Sequence, residues 1–322
     1  MTETKTGTRA VQLPPLPPGT AVAPGYEVLA HLSRTGWLDL YDTWSEERMC
    51  RCVVKVLRPD RRDEPRLRRR LVREGRWLEA FAHPHLVRAY ETVESPEPFV
   101  VLETLTGETL SHLVHRLRHR MAARDVAFLG LHLCSATHYL HSRGLLHLDI
   151  KPSNVVVDRR LAKVLDLSVA RAPGPAPPGV GTFCYLAPEQ ARGGTLSCAA
   201  DVWGIGVTMY EVATGEVPFD EGETYEVGGD VSDGTSLGSA AGVPAGRSWQ
   251  SAVGGDGWYP QLEDRAPPVG SRRNLPRGLA EAIDRCLEPG PGDRPTVGEL
   301  AQTLDGLLPY GRRDVPQEPE AD

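Results

Sequence analysis

From Tyr26 onward the chain alternates apolar and polar positions in three short runs, YEVLAHL, WLDLYDTW and CRCVVKVL, parted by charged or turn-like residues. A period of two, with β-branched and aromatic residues in the runs, predicts three consecutive antiparallel strands. The period then lengthens. Leu67, Leu71, Leu78 and Phe81 recur as one face of a helix, and Glu74 lies on the same stripe. A carboxylate turned toward a core is costly unless a cation meets it. Lys55, near the end of VVKVL, is the expected partner; the alternative is a glutamate at the helix edge reaching water. The opposite face holds Arg66, Arg69, Arg70, Arg73 and Arg76, either a solvated surface or a docking face for an acidic or phosphorylated partner.

After a further strand, PFVVLETL, the pattern is mainly helical. Leu129, Leu133, Ala136 and Leu140 define a helix near Asp125 to His141, with Gly144 as a left-handed cap. DVWGIGVTMYEVATG, from near Asp201, is apolar nearly all round and predicts a buried central helix. GLAEAIDRCL and TVGELAQTLDGLL supply two closing amphipathic helices. The resulting class is α+β, with an antiparallel sheet and one helix followed by a larger helical part.

Composition refines the boundaries. Residues 1–24 carry Pro14, Pro15, Pro17 and Pro18 and few core formers, which predicts an extended, disordered leader or a PxxP docking segment. The length of the remainder suits two lobes or domains. Residues 221–257, rich in Gly, Ser and acids, read as an insertion within the second lobe. It is either a spacer or a docking element for a partner, anchored by Trp249, Trp258 and Tyr259. Residues 311–322 form a polar tail, and no internal repeat is visible. An apolar fraction of 40% over 322 residues suits two moderate cores. The formal charge of -7, from 36 basic and 43 acidic residues, gives no global attraction to nucleic acid or an anionic membrane. Six scattered cysteines without a C-x-x-C pair read as reduced thiols, and the N-terminal residues lack the apolar stretch of a signal peptide. The expectation is a soluble, cytoplasmic protein with no nucleic-acid or membrane partner.

The chemistry concentrates in GLLHLDIKPSN, where Asp149, Lys151 and Asn154 stand at short intervals. Moving a phosphoryl group requires placing a hydroxyl, shielding a triphosphate with metal and steadying the charge in transit. Asp149 can orient a hydroxyl and accept its proton, Lys151 can neutralise a moving phosphate, and the Asn154 carbonyl oxygen can hold a metal. A second metal ligand is available as Asp166, read as the end of a strand in VVVDRRLAKVLD. A turn at Asp158 and Arg159 would bring Asn154 and Asp166 to neighbouring strand ends, as a shared Mg²⁺ requires.

With Lys55, Glu74 and Asp166 in order around that stretch, the chain resembles the eukaryotic-type Ser/Thr protein kinases, in particular their bacterial branch. The likeness runs from Tyr26 to about Leu308. It covers CVVK, the helix glutamate, HPHLV, HLDIKPSN, DLS, GTFCYLAPE, DVWGIG and GDRPT. The resemblance implies a two-lobed fold, residues 25–103 and 104–310, with ATP between the lobes, Mg²⁺ or Mn²⁺ as cofactor, and protein substrates phosphorylated on Ser or Thr. It implies Asp149 as catalytic base, Lys151 on the γ-phosphate, Lys55 on the α and β phosphates paired with Glu74, and Asn154 with Asp166 as metal ligands. Leu32, Leu40, Val53 and Val156 would flank adenine. Glu103 and Leu105 would offer it backbone groups, and Leu102 would be the gatekeeper. Glu189 would pair with Arg294, and Asp201 would brace the catalytic loop. Lys151 with Thr182 matches the Ser/Thr-specific pattern.

Four departures matter. The glycine-rich phosphate loop has Ser33, Thr35 and Leu38 at its expected glycines, with only Gly36 nearby, which predicts weaker or slower ATP use; Val53, where alanine is usual, narrows the adenine roof. DLS replaces D-F-G, and Ser168 adopts positive φ less cheaply than glycine, which predicts a turn less able to flip out. Leu148 stands where many relatives carry an arginine that reads a phosphate on the activation segment. Between Asp166 and Gly181 the only hydroxyl is that of Ser168. These features predict activity independent of phosphorylation there. The alternatives are a nucleotide-binding pseudokinase scaffold and a small-molecule phosphotransferase, the latter opposed by APE, DVWG and GDRP.

Overall fold

The strands Ala21–Ala23 (β1), Tyr26–Arg34 (β2), Leu38–Ser45 (β3), Cys50–Leu57 (β4), Ala89–Val93 (β5) and Phe99–Glu103 (β6) form one antiparallel sheet in the order β1-β2-β3-β4-β6-β5. In this computed structural model the described residues are 13–116, 118–219 and 259–309. Among them, 13–82 and 88–104 make one compact unit, and 83–87, 105–116, 118–219 and 259–309 make a second.

In the first unit, alternation puts Tyr26, Cys52, Val54, Phe99 and Val101 into a common core. Helix α1, Pro65–Ala80, begins with proline at its first turn, where a missing N–H costs nothing. It buries Leu67, Leu71, Glu74 and Leu78 and packs on β4, β5 and β6. Phe81, expected on its stripe, lies just past the helix end in extended backbone. Residues 13–24 also depart from the expected disordered leader. The Leu16 N–H donates to the Tyr41 hydroxyl at 3.0 Å, the Leu13 carbonyl accepts from Arg34, and β1 adds an edge strand that buries Ala23. Proline-rich composition concealed this strand because its pairing partner, β2, supplies the specificity.

The second unit contains β7 (Glu108–Thr109), α2 (Ala123–His141), β8 (Val155–Asp158), β9 (Leu161–Val164), β10 (Gly174–Ala176), α3 (Pro188–Arg192), β11 (Gly194–Leu196) and α4 (Cys198–Thr214). Four further helices follow: α5 (Pro260–Glu263), α6 (Val269–Arg272), α7 (Arg277–Cys286) and α8 (Val297–Gly306). Every residue of α4 from Ala200 to Thr214 is buried, so it is the central helix its composition demands. It starts before Asp201 because the Ser197 side chain caps the Ala199 N–H, and it stops at Gly215 in the left-handed conformation. α2 and α7 pack against it, and α8 packs against α2 and α7; a Thr296–Glu299 capping box starts α8.

The β8–β9 hairpin corrects one expectation. Its turn residues are Arg159 and Arg160, both at positive φ (47° and 70°), and Asp158 still pairs with Leu161. A two-residue hairpin with both central residues left-handed matches strand twist, so the turn lies one residue later than Asp158 suggested. Asp166 likewise stands two residues beyond the end of β9. Residues 1–12, 220–258, which include the expected insertion with Trp249 and Trp258, and 310–322 lie outside the described residues. Tyr259 is buried against Leu186 and Ala191. Among the described residues no helix is long and apolar enough to cross a membrane, and all six cysteines are free.

Candidate active site

In the first unit, Lys55 and Glu74 meet. Lys55 on β4 is 4% exposed and Glu74 on α1 is 1% exposed; the Lys55 Nζ donates to the Glu74 Oε1 at 2.6 Å. The off-pattern glutamate on the apolar stripe is therefore met by a cation inside the unit. Strand register then sorts the neighbours. Leu40 stands opposite Lys55, and Leu102 opposite Val53. Because side chains two apart share a face, as do cross-strand partners, Leu40, Val53, Lys55 and Leu102 lie on one face of the sheet. Leu102 is buried, while Leu40, Val53 and Glu103 are half-buried. Leu32 falls at a register irregularity of β2 and is 52% exposed.

The β2–β3 hairpin, where a glycine-rich loop was expected, is tied down at its tip. The Thr35 hydroxyl accepts from the Leu38 N–H at 3.0 Å, and the carbonyls of Thr35 and Gly36 accept from the Arg58 guanidinium at 3.2 and 3.3 Å. Trp37 is buried, with the Arg70 guanidinium 4.7 Å above its ring. Arg34 forks onto Asp39 at 2.7 and 2.9 Å. Sequence reading saw the lost glycines but not this clasp, whose anchors lie more than twenty residues away.

In the second unit, the Asp201 carboxylate on α4 organises the 144–154 stretch. It accepts the backbone N–H of His147 at 2.9 Å and of Leu148 at 2.7 Å, and it contacts the His141 Nε2 at 2.8 Å. His147 is fixed in turn: its Nδ1 accepts the Asp149 N–H at 3.2 Å, so the proton sits on Nε2, which donates to the Leu165 carbonyl at 3.1 Å. Leu148 is 4% exposed with φ of 66°, and its carbonyl accepts from Gln190 Nε2 at 2.9 Å.

This frame presents Asp149, itself 8% exposed. One carboxylate oxygen accepts from the Thr182 hydroxyl at 2.6 Å; the other accepts from Asn154 Nδ2 at 2.9 Å and lies 3.0 Å from the Lys151 Nζ. Lys151 also donates to the Thr182 hydroxyl. Asn154 is set by the single 3-10 turn Pro152–Asn154 that opens β8, and its amide nitrogen also donates to the Asp149 carbonyl at 2.9 Å. The Leu165 N–H donates to the Asn154 carbonyl at 2.8 Å, which brings Asp166 beside Asn154.

Asp166 itself adopts positive φ (54°), a conformation short polar side chains tolerate, and its Oδ1 accepts the Ser168 N–H at 2.8 Å. The positive φ thus falls on Asp166 and not on Ser168. The donors on offer, an amide oxygen and a carboxylate, are hard oxygens that suit Mg²⁺ or Mn²⁺ completed by phosphate and water. Among the described residues no group of three or more His, Cys, Asp or Glu could hold a metal by protein ligands alone. Leu105 is half-buried and Val156, on β8, is 8% exposed.

The segment after Asp166 is anchored at several points. Leu146 and Arg171 exchange backbone hydrogen bonds at 2.8 and 3.1 Å, and β10 pairs with β11 from Gly174↔Leu196 to Ala176↔Gly194. Gln190 Nε2 bridges the carbonyls of Leu148 and Val180. Glu189 forks onto Arg294 at 2.7 and 2.9 Å, with the Arg294 side chain fully buried. The Tyr185 hydroxyl donates to Glu211, which also meets His115; burial holds the Tyr185 phenol well above its ordinary range, with Glu211 adding to the effect. Gln190 and Glu211 escaped sequence reading, since a bridging amide and a carboxylate on an apolar helix show no spacing signal.

A lysine anchored by a helix glutamate under an antiparallel sheet, and an aspartate loop braced from a buried helix, are features that define the protein-kinase class. Residues 39–304 match the protein kinase domain, and the chain belongs to that family. The match begins just past residues 33–38. Over 180 residues the chain is 37% identical to the serine/threonine-protein kinase PknB of Mycolicibacterium smegmatis, covering 52% of this chain and 29% of that relative. It is 36% identical to PknB of Mycobacterium tuberculosis over 180 residues, with the same shares of 52% and 29%. Against a probable serine/threonine-protein kinase of Streptomyces coelicolor it is 32% identical over 207 residues, covering 60% of this chain and 31% of the relative. The chain thus spans less than a third of the length of these relatives.

Proposed function

We propose that this chain is an ATP-dependent serine/threonine protein kinase of the bacterial branch. The observation that carries the reading is the Asp149 carboxylate, held at once by Thr182, Asn154 and Lys151. Asp149 orients a substrate hydroxyl and takes its proton as the hydroxyl oxygen bonds to the γ-phosphorus. The bond from that phosphorus to the β,γ-bridging oxygen breaks, and ADP leaves. Lys151 accompanies the charge of the moving phosphoryl group. Lys55, aimed by Glu74, neutralises the α and β phosphates. Asn154 and Asp166 would hold Mg²⁺ or Mn²⁺, which when bound would offset the triphosphate charge. The sheet face of Leu40, Val53 and Leu102, with Leu32, Val156 and the backbone of Glu103 and Leu105, receives adenine.

Two features shape this activity. The clasped hairpin at Thr35 to Leu38 supports a high nucleotide requirement, because the Thr35 and Leu38 amides and the carbonyls from Thr35 to Leu38 are engaged within the unit. Leu148 and the tethered, hydroxyl-poor segment support activity that needs no phosphate on residues 169–181. Protein hydroxyls are the acceptors in this reading, and free thiols at all six cysteines fit a cytoplasmic site of action. The test is incubation of the purified chain with labelled ATP, Mg²⁺ or Mn²⁺ and a basic acceptor protein, followed by phosphoamino-acid analysis. Label on serine or threonine supports the reading. Nucleotide-dependent thermal stabilisation with no incorporation under either metal contradicts it and leaves a nucleotide-binding scaffold.

A further inference from the structure

Helix α1 carries six arginines and two glutamates, a strong local excess of positive charge in a chain whose formal charge is -7. Their arrangement is uneven. Arg68 is engaged with the 94–97 turn, donating to the Arg62 carbonyl, the Pro96 carbonyl and Glu97. Arg76 pairs with Glu94. Arg69 and Arg73, one helical turn apart and both exposed, have no carboxylate partner among the described residues. Holding two guanidinium groups at i and i+4 without an anion is repulsive, so this stripe disfavours the isolated helix and favours whatever anion bridges it.

The stripe borders a concave groove of about 520 Å³, lined by Val72, Arg73, Arg76, Trp77 and Glu94 along with Arg68 and Arg69. Val72 and Trp77 are half-buried and give it an apolar floor. The Arg73 guanidinium lies 5.1 Å over the Trp77 ring, a stack that pre-orients its fork. Two forks on successive turns beside an apolar floor match one kind of occupant better than others. A carboxylate fills a single fork, whereas a phosphate has three acceptor oxygens and a charge near -2, enough to engage both. A lipid surface needs a broad convex basic face, and Glu94 on the rim of a groove opposes one.

The geometry points to a docking site on α1 for a phosphorylated serine or threonine in a partner protein, its phosphate bridging Arg69 and Arg73 and a following apolar side chain lying on Val72 and Trp77. The site is independent of phosphoryl transfer, since binding is read without nucleotide. The probe is a fluorescein-labelled synthetic peptide with a central phosphothreonine followed by two leucines, read by anisotropy against the full chain at physiological ionic strength. Binding should weaken at least about tenfold when the threonine is unphosphorylated, or when the chain carries Arg69→Ala with Arg73→Ala. Arg69→Lys with Arg73→Lys should restore only part of it, because lysine lacks the fork. Circular dichroism and melting of each variant confirm that the fold is kept, as expected for exposed positions. Equal binding of both peptides, no binding of either, or full affinity in the double alanine variant would overturn the proposal. So would retention on phosphatidylserine vesicles that the phosphopeptide fails to compete, which would assign the stripe to membrane.

Discussion

Leu148 and Gly181 show how single positions set the frame around Asp149. The Leu148 carbonyl lies against Gly181, where an added Cβ would come within 2.7 Å of it, and Gly181 holds φ of 126°, a region L side chains rarely enter. Gly181→Ala should therefore cost about 1–3 kcal/mol through strain and contact, lowering the melting temperature by several degrees and loosening the hold of Thr182 on Asp149. Calorimetry of the two proteins checks this; a variant that melts with the wild type would contradict it. Much at this scale was legible. Lys55 and Glu74 were linked by the cost of a carboxylate on an apolar stripe. The Gln190 bridge was not, because nothing in local spacing tells a glutamine which carbonyls, 10 and 42 residues away, it will meet.

Two elements carry distinct predictions. The segment from Leu167 to Gly181 is held by the Leu146–Arg171 bridge, the β10–β11 pairing and Gln190, and it offers no phosphate acceptor after Ser168. Phosphatase treatment should leave the transfer rate within about twofold, since no phosphate-reading arginine stands at position 148. Loss of activity together with a phosphate mapped between residues 169 and 181 would contradict this. The second element is a histidine stack that joins residues 83–87 to α2. His85 and His132 rings lie 4.1 Å apart, and His83 contacts Tyr139 at 4.8 Å. The His85 Nδ1 meets the Ala162 carbonyl, and His132 Nδ1 accepts the Ala162 N–H. Burial holds all three imidazoles below their ordinary range, His132 down to about 4, with Arg143 and Lys163 adding to the effect at His83 and His85. In the unfolded chain these groups bind protons near pH 6.5. Stability is therefore fully present above that value and declines as pH falls toward 4, the unfolded state binding more protons in that window. His132→Phe, which keeps a ring in the stack, should flatten the decline by roughly 1–2 kcal/mol after allowance for solvent screening. An unchanged dependence of melting temperature on pH between 6.5 and 4 would contradict it. The longer elements β2, β3, β4, β6, α1, α2, α4, α7 and α8 were legible from period, whereas the short β5, β7, β10, β11, α3, α5 and α6 were not, β1 hid in proline-rich sequence, and the β8–β9 turn hid behind Asp158, a good turn former that stays in its strand.

At the scale of the whole molecule, two compact units make up one protein-kinase domain that carries Lys55, Glu74, Asp149, Lys151, Asn154 and Asp166 in order and has Ser33, Thr35 and Leu38 in its β2–β3 hairpin. Fold class and the order of Lys55, Glu74, Asp149, Lys151, Asn154 and Asp166 were legible because each carries a charge or amide at fixed intervals against an apolar background. The clasp on the 35–37 turn was not legible, since Arg58 and Trp37 hold it through contacts that composition does not encode. Loss of a loop glycine weakens nucleotide approach, whereas loss of one transition-state electrostatic contact commonly costs about 10² to 10³ in rate. Retention of the charged set is thus the stronger argument for catalysis. The most direct measurement is transfer of labelled γ-phosphate by the wild-type chain beside Asp149→Asn and Lys55→Met, with melting curves for each. Asp149→Asn removes the proposed base with little change in shape, and Lys55→Met leaves Glu74 buried without its cation, so its expected loss of stability, about 3–5 kcal/mol, is read separately from its loss of rate. The account predicts incorporation by the wild type that falls by at least about 10² in Asp149→Asn while its fold is kept. Incorporation that persists in folded Asp149→Asn, or none by the wild type under Mg²⁺ or Mn²⁺ at saturating ATP, would contradict it.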